Sequence, residues 1–313
     1  MSSKFVFAAA VLLLVAVPAT GHAVTLQVNC DQTTSKLPTI GAALKLLSGP
    51  IGGLGPNTIE VTGACKENVA VASLSHLTLT AKDGASITDA SGGTAPVINI
   101  DRSYDFALKG FAIRGGGGPF KAAVGCFSST CFLSGNNVQI PGGTGIVAAF
   151  ASELSLSSDV LEQSQAGLLA IDGSKAILVG AAIRNNAGVG VQAAADSFLE
   201  TAFSTIVENN GTHGIWVHDH SSAQISQTTV TRNGGIGVFV QIASEAFFFL
   251  APGTQNTISD NAWGVAVQDL SWANIYAPGT TVSGSANQPD IQCWGHFSGA
   301  TNAAAAGTTN CDP

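Results

Sequence analysis

Charge is what this 313-residue chain has least of: Asp, Glu, Lys and Arg together make up 10% of it, against about 25% in ordinary soluble domains. Lys and Arg number 12 against 20 acidic residues, and they cluster nowhere. A net charge of −8 with no basic patch argues against nucleic acid as a partner, because neutralising phosphates needs grouped cations. It argues equally against unassisted binding to polyanions. Long apolar runs are also missing. The longest, residues 5–17, falls short of the roughly 20 residues that a membrane-spanning helix needs, so no membrane anchor is expected. Helical periodicity is nearly absent too, leaving strands to build the fold.

That one apolar run has a different meaning. Lys4 precedes it and the small residues Pro18 to Ala23 follow it, the order of a secretory signal peptide. Cleavage is expected after Ala23, giving a secreted or periplasmic protein whose net charge falls by one more as Lys4 leaves. Cys30, Cys65, Cys126, Cys131, Cys293 and Cys311 all lie beyond that point, and an even count in an exported chain suggests disulfides. Nearest-neighbour pairing is expected, since contacts in a solenoid are local.

Glycine, with 37 residues, is over-represented, and from about residue 140 to 280 it recurs with a pattern. Gly145, Gly167, Gly188, Gly214, Gly235 and Gly264 open short alternating strands (GIVA, GLLA, GVGV, GIWV, GIGV, GVAV) at intervals of 22, 21, 26, 21 and 29 residues. A Ser follows each, seven residues on at Ser152, Ser174, Ser221 and Ser271, and nine on at Ser197 and Ser244. A second strand comes next, then a β-branched residue, then Asn: Asn185 or Asn186, Asn209 or Asn210, Asn233, Asn261. Intervals of this size mark a stacked solenoid. Parallel strands joined by short turns make the coil right-handed, with about 4.8 Å between coils. The Asn positions suit sharp turns, and stacked they form a hydrogen-bonded ladder.

With its Gly-opened strands and Asn turns, the chain resembles the pectin-lyase-like superfamily of right-handed parallel β-helices, in which an Asn ladder is a familiar feature. The resemblance implies an all-β, single-stranded right-handed parallel β-helix. The amphipathic segment TIGAALKLL, Thr39 to Leu47, caps its first coil and covers an open sheet edge. Asn57 to Val71, His76 to Ala81 and Phe106 to Gly116 read as early-coil strands. One domain is expected from residue 24 to residue 313, with a tail from about 283 that wraps the far end.

Strand alternation sorts the candidate site residues. With Ile215 and Val217 inward, Trp216 and His218 point out, and the equivalent positions bring Gln192, Phe239 and Gln268 to the same face. Flat rings flanked by amides suit a sugar-binding surface, so the expected partner is a polysaccharide or cell-surface glycan and the protein is expected to be a monomer. A loop or the tail covering the rings is the alternative. His218, Asp219 and His220 are candidates for acid–base work, with the two histidines sharing a face if the strand continues. Asp219 recurs as Asp172 and Asp269, two residues before the Ser, which is the signature of a turn residue. The residues before the ladder Asn alternate in sign: Arg184, Glu208, Arg232, Asp260.

Lyases of this superfamily need a basic group and usually calcium, which is expected here only for a lyase; no other cofactor or metal is implied. Polygalacturonase-like enzymes carry Asn-Thr-Asp, Asp-Asp and Arg-Ile-Lys motifs, and none occurs. Pectin methylesterases pair aspartates on the strand face, where the outward positions above hold none. Asp83, Asp89, Asp101 and Asp105 leave room for a carboxylate site in the first coils. Asn210-Gly211-Thr212 matches a glycosylation sequon, although the ladder explains Asn210 equally well. The expected function is binding, with processing a further step, of extracellular polysaccharide; a non-catalytic adhesion or scaffold role is the alternative.

Overall fold

A computed structural model of the chain describes residues 23–32, 35–49, 55–249, 254–275, 279–284, 289–295, 298–301 and 306–311. The expected signal peptide therefore lies outside the described residues, save Ala23. Strands too short to be stable alone stack into three parallel sheets, here called I, II and III, of twelve, ten and ten strands. Each coil runs from sheet I to II to III and back to I. Glu153–Ser157, Val160–Glu162, Ala166–Ala170 and Lys175–Val179 trace one such passage. Every pairing between neighbouring coils in these sheets is parallel and in register, as in Glu153↔Lys175↔Phe198↔Ser222.

Inward residues from all three sheets fill one continuous aliphatic core, in which Leu154, Leu161, Leu168 and Ile183 are fully buried. Sheets polar or small on the outside and aliphatic within account for the shortage of charge: each coil needs an inward apolar lane but few ions.

The capping helix forms where expected, as α1 (Ile40–Leu47). Thr39 Oγ1 accepts the Ala42 N–H at 3.1 Å, a regular N-cap. Glu67 from the first full coil accepts the Ile40 and Gly41 N–H groups at 2.7 and 3.0 Å. Ile40, Ala43, Leu44 and Leu47 seal the end of the core. At the other end the chain does more than wrap: Ile291–Trp294 joins sheet III and Gly299–Thr301 joins sheet I.

The three disulfides pair nearest neighbours, Cys30–Cys65, Cys126–Cys131 and Cys293–Cys311. The outer two tie the terminal strands to their neighbours, where a coil has a partner on one side only.

Two polar ladders hold the corners. Between sheets III and I, each backbone N–H from Ser103 to Ser244 donates to the Oγ of the Ser one coil on, through Ser129, Ser152, Ser174, Ser197 and Ser221 to Ser271. Between sheets II and III the ladder residues are Asn186, Asn210, Asn233 and Asn261. Each of the first three gives both its backbone N–H and its Nδ2 to the Oδ1 of the next. Asn185 and Asn209 instead occupy left-handed backbone outside the ladder, at φ 54° and 53°.

Two expected columns shift. The stacked glycines are Gly145, Gly167, Gly190, Gly214, Gly237 and Gly264, not Gly188 and Gly235: a Cβ at Gly190 would stand 2.7 Å from the Gly214 carbonyl oxygen, and one at Gly214 2.7 Å from that of Gly237. Close approach of adjacent coils selects Gly here, and with these positions every Ser falls seven residues on. The charges form a zigzag. Arg184 lies in register with Glu162 and Glu208 and pairs with Glu162 at 3.2 Å. Arg232, one position later on left-handed backbone, reaches back to Glu208, whereas Asp260 accepts from the Ser259 hydroxyl at 3.2 Å.

Candidate functional site

The candidate residues meet on the outer face of sheet III. Ile215 and Val217 are fully buried, which turns Trp216 outward. Gln192, Trp216 and Phe239 are direct partners on successive strands. Their lane sets the Trp216 and Phe239 rings 6.3 Å apart and 11° from parallel. His218 stands in the next outward lane and stacks on Trp216 with centroids 4.2 Å apart. Gln268 belongs to this second lane, as expected, with Trp294 as its strand partner; the two-residue shifts to Gly190 and Gly237 are what bring Gln192 and Phe239 into the Trp216 lane.

Hydrogen bonds fix these rings. Trp216 Nε1 donates to Gln241 Oε1 at 3.0 Å. His218 Nδ1 lies 2.9 Å from Asp219 Oδ2 and its Nε2 lies 2.7 Å from Gln192 Nε2. A carboxylate only accepts, so the network assigns the proton to Nδ1 and leaves Nε2 to accept from the Gln192 amide. Both ring nitrogens are thereby occupied.

His220 does not join His218 on one face. The strand ends at Val217, and Asp219 and His220 turn the chain through left-handed backbone at φ 54° and 62°. Asp172 and Asp269 adopt the same conformation at φ 56° and 55°, so the recurring Asp is a corner residue, as its spacing implies.

Part of the face is covered. Phe239 is 8% exposed and His218 9%. Trp294 from the last strand of sheet III stands edge-on to Phe239 with centroids 6.1 Å apart, and the His213 ring packs against Phe239 at 5.2 Å. Burial lowers the pKa of His213, whose Nδ1 accepts the Ile236 N–H at 3.1 Å. Trp216, Gln192, Gln241 and Gln268 remain half-buried at the surface.

A second aromatic cluster lies on the same face, in earlier coils. Phe120, Phe127 and Phe150 form a triangle with centroid separations of 5.6, 6.1 and 6.0 Å. With Pro96, Asn99, Asp101 and Pro119 they line a groove of about 400 Å³. These phenylalanines precede or punctuate the clear repeat, so sequence periodicity passed over them. Gln241 was hidden by the two-residue shift of the Gly column. The available signal was alternation, since Gln241 follows Phe239 by two residues as His218 follows Trp216.

The first-coil carboxylates do not assemble into a site; each has a local role. Asp83 sits on left-handed backbone. Burial works to raise the pKa of Asp89, but hydrogen bonds from the Ser91 and Asn68 side chains and the Ser91 and Gly93 amides outweigh it and hold it at about 2. Asp101 pairs with Arg102 at 2.7 Å and Asp105 with His76 at 2.9 Å.

Comparison with known proteins agrees with this architecture. The family described as "right handed beta helix region" matches residues 124–296. No curated protein sequence matches the chain. Among solved structures, the A-module of Azotobacter vinelandii mannuronan C-5 epimerase AlgE4 is similar, with a TM-score of 0.56 at 14% identity over 87% of this chain and 94% of the module. The AlgE6 A-module of the same organism gives 0.54 at 14% identity, over 83% of this chain and 86% of the module. The Dettilon tailspike protein gives 0.55 at 12% identity, over 87% of this chain and 56% of the tailspike. At such identities the likeness establishes the fold, and with the family match over more than half of the chain, it belongs to the right-handed β-helix family.

Proposed function

We propose that this protein acts outside the cell by binding polysaccharide on the outer face of sheet III. The observation that carries the reading is Trp216, a half-buried ring pinned by Gln241 and His218, with the Gln192 amide beside it on the adjacent strand and the Gln268 amide two coils on in the neighbouring lane. A fixed flat ring stacks on the apolar face of a sugar at little entropic cost, and the amides are placed to bond its hydroxyls. Three disulfides fit an oxidising compartment. No described helix is long and apolar enough to cross a membrane.

Binding without turnover is the form the site supports best. A general base needs a free nitrogen or carboxylate aimed at the sugar, whereas both His218 nitrogens are engaged and Asp219 sits in the corner. The test is to incubate the mature protein with acidic and neutral polysaccharides, with and without calcium, measuring unsaturated products and retention together. Retention that Trp216→Ala weakens, with no products, is the expected result. Absence of retention on every polymer would overturn the reading, and products would overturn the non-catalytic form of it.

A further inference from the structure

The two aromatic clusters share one surface. Phe127 and Trp294 occupy the same outward lane of sheet III, because their preceding residues Cys126 and Cys293 both project inward in register with the intervening strands. They stand seven coils apart, about 34 Å at the usual strand spacing. Leu169 and Ile171, both half-buried, carry the apolar surface between them.

The polar groups along this surface are nearly all uncharged. Asn99 lies at one end and the Gln192, Gln241 and Gln268 amides at the other. Neither outward lane holds a Lys or Arg among the described residues. The carboxylate at the Phe end, Asp101, is paired with Arg102. A polyuronate laid here would meet no Lys or Arg on either lane, and at the Phe end only an Arg102 already paired with Asp101, while facing a protein of net charge −8, an arrangement that repels a polyanion. Rings alternating with amides instead match a chain of pyranoses that offers CH faces and hydroxyl edges.

We infer that the ligand is a linear, uncharged polysaccharide lying lengthwise across the coils, from the phenylalanine triangle to the Trp216 and Trp294 rings. This rests on the glycan reading above and sharpens it to a substrate class and a direction. Phe150, 52% exposed at the groove mouth, is the far contact.

The test uses retention on, and calorimetric affinity for, two neutral polymers, β-1,4-glucan and mannan, and two acidic ones, polygalacturonate and alginate. A series of neutral oligosaccharides from disaccharide to decasaccharide is titrated into the unaltered protein. The expected result is binding to a neutral polymer, affinity that keeps rising beyond the hexasaccharide, and a loss of about tenfold with either Trp216→Ala or Phe150→Ala, one ring contact each. Preference for the acidic polymers would overturn the inference and leave the glycan reading standing. So would affinity that levels off at the trisaccharide together with full affinity in Phe150→Ala. Failure of all four polymers to bind would remove the glycan reading itself. The length series needs no variant, so it decides even if a substitution disturbs folding.

Discussion

Asp159 gives the sharpest quantitative test of the architecture. It lies at the corner between strands Glu153–Ser157 and Val160–Glu162 with no exposed surface. Its Oδ1 accepts the Asn136 N–H and Nδ2–H, both at 2.8 Å, and its Oδ2 accepts the Ser157 N–H at 3.0 Å. Burial raises its pKa and these three donors recover only part of the cost, leaving it at about 6 against an ordinary 3.8. Between those two values the folded chain holds a proton that the unfolded chain has released, so the contribution to stability is full below pH 4 and lost as pH rises through 6. At about 1.4 kcal/mol per pH unit the loss amounts to about 3 kcal/mol, or about 5 °C in Tm for a chain of this size. Asn fits the corner without titrating, as Asn136 shows one coil earlier. The measurement is denaturant unfolding of the wild type and Asp159→Asn, followed by circular dichroism in steps from pH 3.5 to 7.5. Taking the difference cancels carboxylates with lowered pKa such as Asp89 and Glu162. The wild type should lose about 3 kcal/mol relative to the variant across pH 4 to 6 and nothing beyond. A flat difference, or one running the other way, would mean that the three donors hold the carboxylate ionised and would refute the burial argument.

Two further outcomes follow from the ladders. Gly214→Ala places a Cβ 2.5 Å from Val230 Cγ1 and 2.7 Å from the Gly237 carbonyl oxygen; forcing those coils apart should cost about 3 kcal/mol, read as a lowered midpoint, whereas the same change at the open Gly173 contour should be governed by its positive φ of 70° and cost about 1 kcal/mol. Asn210 is 1% exposed and bonds Asn233 and the Ile183 carbonyl, so mass spectrometry of protein secreted from a glycosylating host should find its sequon unmodified once folded; quantitative glycosylation would contradict the ladder.

Much of the fold was legible in the chain itself because a solenoid writes its structure as local repetition. The Gly, Ser and Asn spacings identified the coil, α1 was read from its apolar face, and the local character of solenoid contacts led to all three disulfide pairs. Register was harder. A strand with Gly at alternate positions, such as GVGV or GIGV, satisfies period 2 in two frames, and the sequence alone does not separate Gly188 from Gly190 or Gly235 from Gly237. What separates them is the carbonyl of the next coil, 2.7 Å from any Cβ at Gly190, and that contact exists only after stacking.

The candidate site divides along the same line. Sequence alternation determined that Trp216 faces outward and that Asp219 belongs to a corner, since each depends on neighbours within a few residues. Only the tertiary structure decided that His220 turns away, that Trp294 from the last strand of sheet III covers Phe239, and that Phe127 and Phe150 share a surface with Trp216. Residues tens of positions apart meet there because parallel stacking converts each coil of 22 to 27 residues into a single step of about 4.8 Å. Periodicity encodes the step, and the neighbours that each step brings together appear only when the coils are counted in register.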